Sequence, residues 1–138
     1  MDRPKPIGEK KDGSRFKVLI IDDSVFVVKQ LTQILQSENF EVIDCADDGV
    51  VGLEKFKEHH PNIDIITLDI TMPKMDGITT LEKIMEFDKK STVIMISALG
   101  KEDLVKKSLL AGAKSYIVKP LDRKKVLERI ETVLKGER

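Results

Sequence analysis

Five side chains in this sequence could do chemistry together, and each follows a short apolar run. Asp22 and Asp23 follow Val18 to Ile21, and Asp69 follows Ile63 to Leu68. Ser97 follows Thr92 to Ile96, and Lys119 follows Tyr116 to Val118. Three crowded carboxylates repel one another and resist ionising unless a cation shares the site. Hard oxygen ligands completed by water describe Mg²⁺. Asp69 would then attack phosphorus and become an acyl phosphate. Lys119 supplies a point positive charge on a flexible stem, suited to a phosphoryl oxygen. The Ser97 hydroxyl can donate to another oxygen of the same group. Each of these residues alone reads as an ordinary turn former or solvated charge. Their recurrence at matching strand ends is what points to a site.

That convergence needs a particular scaffold. Val18 to Ile21 is a β-branched-rich run, as in a strand buried on both faces. Val27/Val28, Leu31 and Ile34/Leu35 then recur at helical spacing, with Ser24 as N-cap. Phe40 to Cys45 is a second strand, and Asp47-Asp48-Gly49 turns into a helix with Val50, Leu53 and Phe56 inward. That helix ends at His59-His60-Pro61, because proline restricts the residue before it. The third strand stops at Asp69; a loop stiffened by Pro73 and released by Gly77 leads to a helix from Ile78 to Phe87. Strand four, Thr92 to Ile96, precedes a helix from about Lys101 to Ala111, with Gly112 as its left-handed cap. Strand five, Tyr116 to Val118, precedes a helix capped by Asp122 that carries Val126/Leu127, Ile130 and Val133/Leu134. Repeated strand–helix units predict an α/β fold, a doubly wound parallel sheet with helices on both faces. In such a sheet the carboxyl ends of the strands share one edge, where ligands bind.

Composition bounds the rest. The chain has 138 residues, enough for one domain that buries roughly two thirds of its unfolded surface. Lys+Arg and Asp+Glu are equal at 24 each, so no global field draws the protein to nucleic acid or an acidic membrane. The apolar runs are too short to span a bilayer, and no apolar segment follows Met1-Asp2-Arg3-Pro4, so no secretory signal is expected. Cys45 is the single cysteine and fits a reducing, cytoplasmic home; at a strand end it reads as a small core hydrophobe. Residues 1–15 hold Pro4, Pro6, Gly8 and Gly13 with no apolar period, and read as a flexible N-terminal tail before a domain over 16–138. His59-His60 are expected to be solvated at a helix end, since adjacent helical residues do not share a face.

The ordered motifs resemble the receiver domain of two-component response regulators. The stretches that carry the resemblance are Val18-Leu19-Ile20-Ile21-Asp22-Asp23, Ala46-Asp47-Asp48-Gly49, Ile96-Ser97-Ala98 and Ala111-Gly112 through Lys119-Pro120. The most specific is Leu68-Asp69-Ile70-Thr71-Met72-Pro73-Lys74-Met75-Asp76-Gly77. The resemblance covers about Phe16 to Lys135. It implies a flavodoxin-like (βα)5 fold with strand order 2-1-3-4-5. It implies that Asp69 is the phosphoacceptor, and that Asp23, Asp69 and the Thr71 carbonyl hold Mg²⁺ directly, with Asp22 acting mostly through water. Ser97 stands at the switch hydroxyl, Tyr116 at the switch aromatic and Lys119 at the phosphate-contacting lysine. The Lys119-Pro120 bond is cis in the family. The implied phosphodonor is a sensor histidine kinase or a His phosphotransfer domain.

The resemblance further implies a signalling switch, not an enzyme acting on an outside substrate. Phosphorylation would rearrange the surface of the fourth helix, fifth strand and fifth helix, which controls a downstream protein and can support a weak homodimer of an otherwise monomeric chain. No output domain follows in this sequence, and no direct nucleic-acid or membrane contact is expected. Thr71 and Leu99 occupy the two positions that influence acyl-phosphate hydrolysis in the family, and neither is an acid or amide able to orient water. Self-dephosphorylation is therefore expected to be slow. An aspartyl phosphohydrolase is disfavoured, because Asp69-Ile70-Thr71 lacks the second acid that would serve as acid/base. A pseudo-receiver that only binds a partner is disfavoured by the intact acids and Lys119.

Overall fold

The computed structural model describes residues 5–137. Five strands and five helices alternate: β1 (Lys17–Ile21), α1 (Val25–Gln36), β2 (Glu41–Ala46), α2 (Gly49–His59), β3 (Ile65–Leu68), α3 (Gly77–Phe87), β4 (Val93–Ser97), α4 (Glu102–Leu110), β5 (Ser115–Val118) and α5 (Arg123–Glu137). All pairings within the sheet are parallel, in the order β2-β1-β3-β4-β5. This is the doubly wound, flavodoxin-like sheet that the sequence pattern and the resemblance implied.

Alternation along the strands sends side chains to two cores. Val18 and Ile20 join Leu31, Leu35, Val126 and Ile130 on the face covered by α1 and α5. Leu19 and Ile21 join Phe56, Leu81, Ile84 and Met95 on the face covered by α2 and α3. Short polar side chains start three helices by accepting orphan amides. The Ser24 hydroxyl accepts from Val27 N–H at 3.2 Å, and Asp48 from Val51 N–H at 2.8 Å. Asp76 accepts from Thr79 N–H at 2.8 Å. α4 has no side-chain cap, and its one fully buried residue is Ser108. It is the helix held by the least buried apolar surface, the character expected of an element that moves.

The structure departs from the sequence reading in three places. Residues 1–4 of the expected tail lie outside the described residues, but residues 6–10 are at least partly buried against the body, with 11–15 exposed. Ile7 and Gly8 donate to the Glu38 carboxylate and carbonyl at 3.1 and 2.8 Å, Phe16 donates to the Gly8 carbonyl at 2.8 Å, and Lys10 meets Asp64 at 3.2 Å. Backbone hydrogen bonds, invisible to composition, hold this segment. Val50 faces outward, and the inward positions of α2 are Gly49, Gly52 and Phe56. The helix lies so close to its neighbours that glycines replace the apolar side chains expected there. His59 and His60 are each paired with a carboxylate, Asp44 and Asp88, both at 2.9 Å. Adjacent in sequence, they reach partners on different elements. Cys45, read as a small core hydrophobe, is half-buried and packs against the core, and it also lines a groove of about 430 Å³ with Val25, Val28 and Val51.

Candidate functional site

Register brings the chemistry to one edge. Ile21 lies beside both Ala46 and Leu68, so the residues that follow, Asp22 and Asp69, leave the sheet side by side. Their amides are fixed by the neighbouring strands: Asp22 N–H donates to Ala46 O at 2.9 Å, and Asp69 N–H to Ile21 O at 3.0 Å. Ser97 pairs with Val118, and Lys119 N–H donates to Ser97 O at 2.8 Å. The Lys119-Pro120 bond is cis.

The side chains meet as the strand ends suggest. Lys119 Nζ lies 3.0 Å from Asp22 Oδ2 and 3.4 Å from Asp69 Oδ2. One carboxylate oxygen from each of Asp22, Asp23 and Asp69 can be chosen so that all lie within 4.8 Å of one another. Asp22 and Asp69 are buried, whereas Asp23 is exposed and forms the open side. Asp22 Oδ1 also accepts from Ser24 N–H at 2.9 Å, which ties it to the start of α1. Burial pushes the Asp69 carboxyl up to about 6, the Asp22 charge adds to the rise, and the Lys119 ammonium pulls it back down. One lysine against three carboxylates leaves a deficit of positive charge. An all-oxygen cluster open on one side suits a hard divalent cation that keeps water ligands, so these residues fit Mg²⁺.

The other sequence-derived residues are placed less completely. Ser97 is fully buried, and its hydroxyl oxygen accepts from Leu99 N–H at 3.1 Å instead of bonding Asp69. Tyr116 is turned inward, 6% exposed, with its hydroxyl donating to the Leu99 carbonyl. Thr71 is exposed on the loop two residues after Asp69. That loop returns to the site at Gly77, whose N–H donates to Ile70 O at 2.7 Å; a Cβ there would lie 2.0 Å from the Asp69 carbonyl oxygen. Two residues near the site are read in the sequence only as a turn into α2 and as part of a stretch that carries the resemblance, with no role of their own. Asp48 is buried, caps α2 and faces Lys74 at 3.6 Å, and Gly49 packs beneath Met75. An acid before a glycine at a helix start was the available signal, and it reads equally as a simple cap.

Residues 18–131 match the response regulator receiver domain. The chain belongs to the response regulator receiver family. This receiver is 66% identical over 130 residues to the chemotaxis protein CheY of Treponema pallidum, covering 94% of this chain and 90% of the relative. It is 44% identical over 118 residues to the Bacillus subtilis chemotaxis protein CheY, covering 86% and 97% of the two chains. Among solved structures, the CheX-CheY-BeF3-Mg+2 complex from Borrelia burgdorferi superposes with a TM-score of 0.93 at 65% identity, covering 95% of this receiver and 98% of that chain. The receiver is thus CheY-like, a two-component signalling domain of a family whose standard role is a phosphorylation-dependent switch.

Proposed function

We propose that this receiver passes a chemotaxis-type signal by accepting a phosphoryl group on Asp69. The observation that carries the reading is the convergence of Asp22, Asp23 and Asp69 within 4.8 Å beside Lys119. Asp22, Asp23, Asp69 and the Thr71 carbonyl would hold Mg²⁺, which when bound neutralises phosphoryl oxygens as negative charge develops. An Asp69 oxygen attacks the phosphorus of a phosphohistidine on a kinase or a His phosphotransfer domain. The new P–O bond forms as the P–N bond breaks, and the imidazole leaves with the electron pair. Lys119 shifts from its two carboxylates to share a phosphoryl oxygen. The Ser97 hydroxyl leaves Leu99 N–H and donates to another oxygen of the same group.

The readout follows from what those moves disturb. Leu99 holds both the Ser97 hydroxyl, through its amide, and the Tyr116 hydroxyl, through its carbonyl. Drawing Ser97 toward phosphate therefore pulls on the β4–α4 connection and on α4, the weakly anchored helix, and shifts the population of the α4-β5-α5 surface. The BeF3 and Mg²⁺ in the Borrelia relative's complex support this chemistry, and its CheX supports a protein of that kind as one partner. Thr71 and Leu99 leave hydrolysing water unoriented, so the phosphoryl group is long-lived until a partner removes it; rapid loss from the purified protein would contradict this. The chain acts as a cytoplasmic switch that catalyses only its own phosphorylation and dephosphorylation. Among the described residues no helix is long and apolar enough to cross a membrane.

Incubation with acetyl phosphate, with and without Mg²⁺, read by intact mass, tests the reading. One phosphoryl adduct that needs Mg²⁺ and is absent from Asp69→Asn is the expected result. No adduct, together with no BeF3 binding, would reduce the domain to a constitutive binding module.

A further inference from the structure

The loop between β3 and α3 carries Thr71, and Pro73 and the Met75 N–H bond to the Pro73 carbonyl at 2.7 Å shape it from within. Its tip is also seated on the start of α2. Lys74 adopts φ +68°, a left-handed conformation for a residue other than glycine, and its ammonium reaches Asp48 Oδ2 at 3.6 Å. Asp48 is buried and uses its other oxygen to cap α2 through Val51 N–H at 2.8 Å. Beside it, a Cβ on Gly49 would lie 2.5 Å from the Met75 carbonyl oxygen, 2.9 Å from Met75 Cβ and 2.3 Å from Thr80 Oγ1. Thr80 Oγ1 is itself bonded to the Asp76 carbonyl at 2.8 Å. Two of those neighbours belong to Met75, one of them backbone, so the loop and α2 are in contact with no room between them. At its other end the same loop is held by the Gly77 N–H bond to Ile70 O.

We infer that Asp48 and Gly49 are positioning residues for cation binding: the start of α2 is a seat that fixes the β3–α3 loop, and through it the Thr71 backbone, beside Asp69. Neither residue touches the three-carboxylate cluster. Their influence passes through Lys74 and Met75 to a loop whose far end is continuous with Asp69. The inference rests on the Mg²⁺ reading above and adds residues on a different element to it. A side chain at Gly49 presses on Thr80 Oγ1 at the start of α3 and on the Met75 backbone, and the Thr71 carbonyl shifts while Asp22 and Asp23 stay. A ligand set that keeps its carboxylates but loses a carbonyl binds the cation more weakly without losing the fold.

The test is calorimetric titration of Mg²⁺ into wild type, Gly49→Ala and Leu53→Ala, with thermal unfolding of each. Leu53 is on the same helix, half-buried, and lines a groove with Lys57, Lys83 and Phe87, so it controls for general loosening of α2. Gly49→Ala is expected to stay folded and to weaken Mg²⁺ binding about tenfold, the effect of disturbing groups that orient metal ligands. Leu53→Ala is expected to lower the unfolding temperature and leave affinity at the wild-type value. Equal affinities in wild type and Gly49→Ala, or equal losses in both variants, would overturn the inference. Wild type that fails to bind Mg²⁺ would overturn the metal reading itself. Should Gly49→Ala not fold, amide hydrogen exchange of wild type decides: saturating Mg²⁺ should slow exchange at Val51 and Gly52, since coupling between two sites is reciprocal. Unchanged exchange there would overturn the inference.

Discussion

Asp69→Asn should make the metal-free protein more stable, and by an amount that depends on pH. Asp69 is 4% exposed, and burial with the nearby Asp22 charge lifts its carboxyl to about 6 despite Lys119. An aspartate in an unfolded chain titrates near 3.9. The folded value is raised, so the neutral carboxyl suits the fold and ionisation opposes it. The contribution is fully favourable below about pH 3.9 and is lost as pH rises through about 6. The difference of about 2 pH units corresponds to about 3 kcal/mol of destabilisation at about pH 7.5. Near pH 4.5 the same linkage leaves about 1 kcal/mol. Asparagine is close in shape and carries no charge, and Lys119 keeps Asp22 at 3.0 Å. The stability gain of Asp69→Asn should therefore grow by about 2 kcal/mol between about pH 4.5 and 7.5. Urea unfolding in chelator-treated buffer, followed by circular dichroism at both pH values, measures it. Mg²⁺ should then stabilise wild type more than the variant, because it removes the same repulsion. A gain equal at both pH values, or no gain at neutral pH, would refute the assignment of the strain to Asp69.

Three further expectations follow from other parts of the structure. Lys119→Met leaves Asp22 and Asp69 facing each other without a cation, and should slow acetyl phosphate labelling by about 10²-fold, the scale for losing one charge-stabilising group; a wild-type rate would remove Lys119 from the chemistry. Burial opposes ionisation of Asp44, but hydrogen bonds from Lys55 and His59 outweigh it and hold the carboxyl down at about 2. Its contribution is present above about pH 3.9 and lost as pH falls through about 2, so Asp44→Asn should cost about 1 kcal/mol after solvent screening at neutral pH and progressively less in acid, read by urea unfolding. Thr67 is 2% exposed, and its hydroxyl has no partner among the described residues. Thr67→Val should stabilise the fold by about 1 kcal/mol, since it removes an unsatisfied buried hydroxyl at constant shape, and a lower unfolding temperature would count against that account.

The inner strands β1, β3 and β4 were legible because each is a short apolar run ended by a residue that prefers water, and helix spacing separates them; β2, with Glu41 and Asp44 in its run, is the mixed case. Boundaries moved by a residue or two, as with β3, which begins at Ile65 and not at Ile63. The inward face of α2 was misassigned at Val50, because periodicity marks where apolar residues recur and cannot show that a neighbouring strand comes close enough to demand glycine. The packing of residues 6–10 is not visible in the sequence for a related reason. Their bonds run from backbone to Glu38, and backbone pairing leaves little trace in side-chain composition.

The sequence alone settled which residue types stand at the strand ends, and so which chemistry was available. Parallel strands joined by helices put Asp22, Asp69, Ser97 and Lys119 on one edge whatever the finer packing. Tertiary structure decided what those residues touch. It placed Lys119 between Asp22 and Asp69, and turned the Ser97 and Tyr116 hydroxyls toward Leu99. It also seated the Asp69 loop on Asp48 and Gly49. Each of these depends on distances between elements remote in sequence, set by close packing across the whole domain. Local pattern determines where a chain changes direction, and only the packed fold determines which side chains then meet.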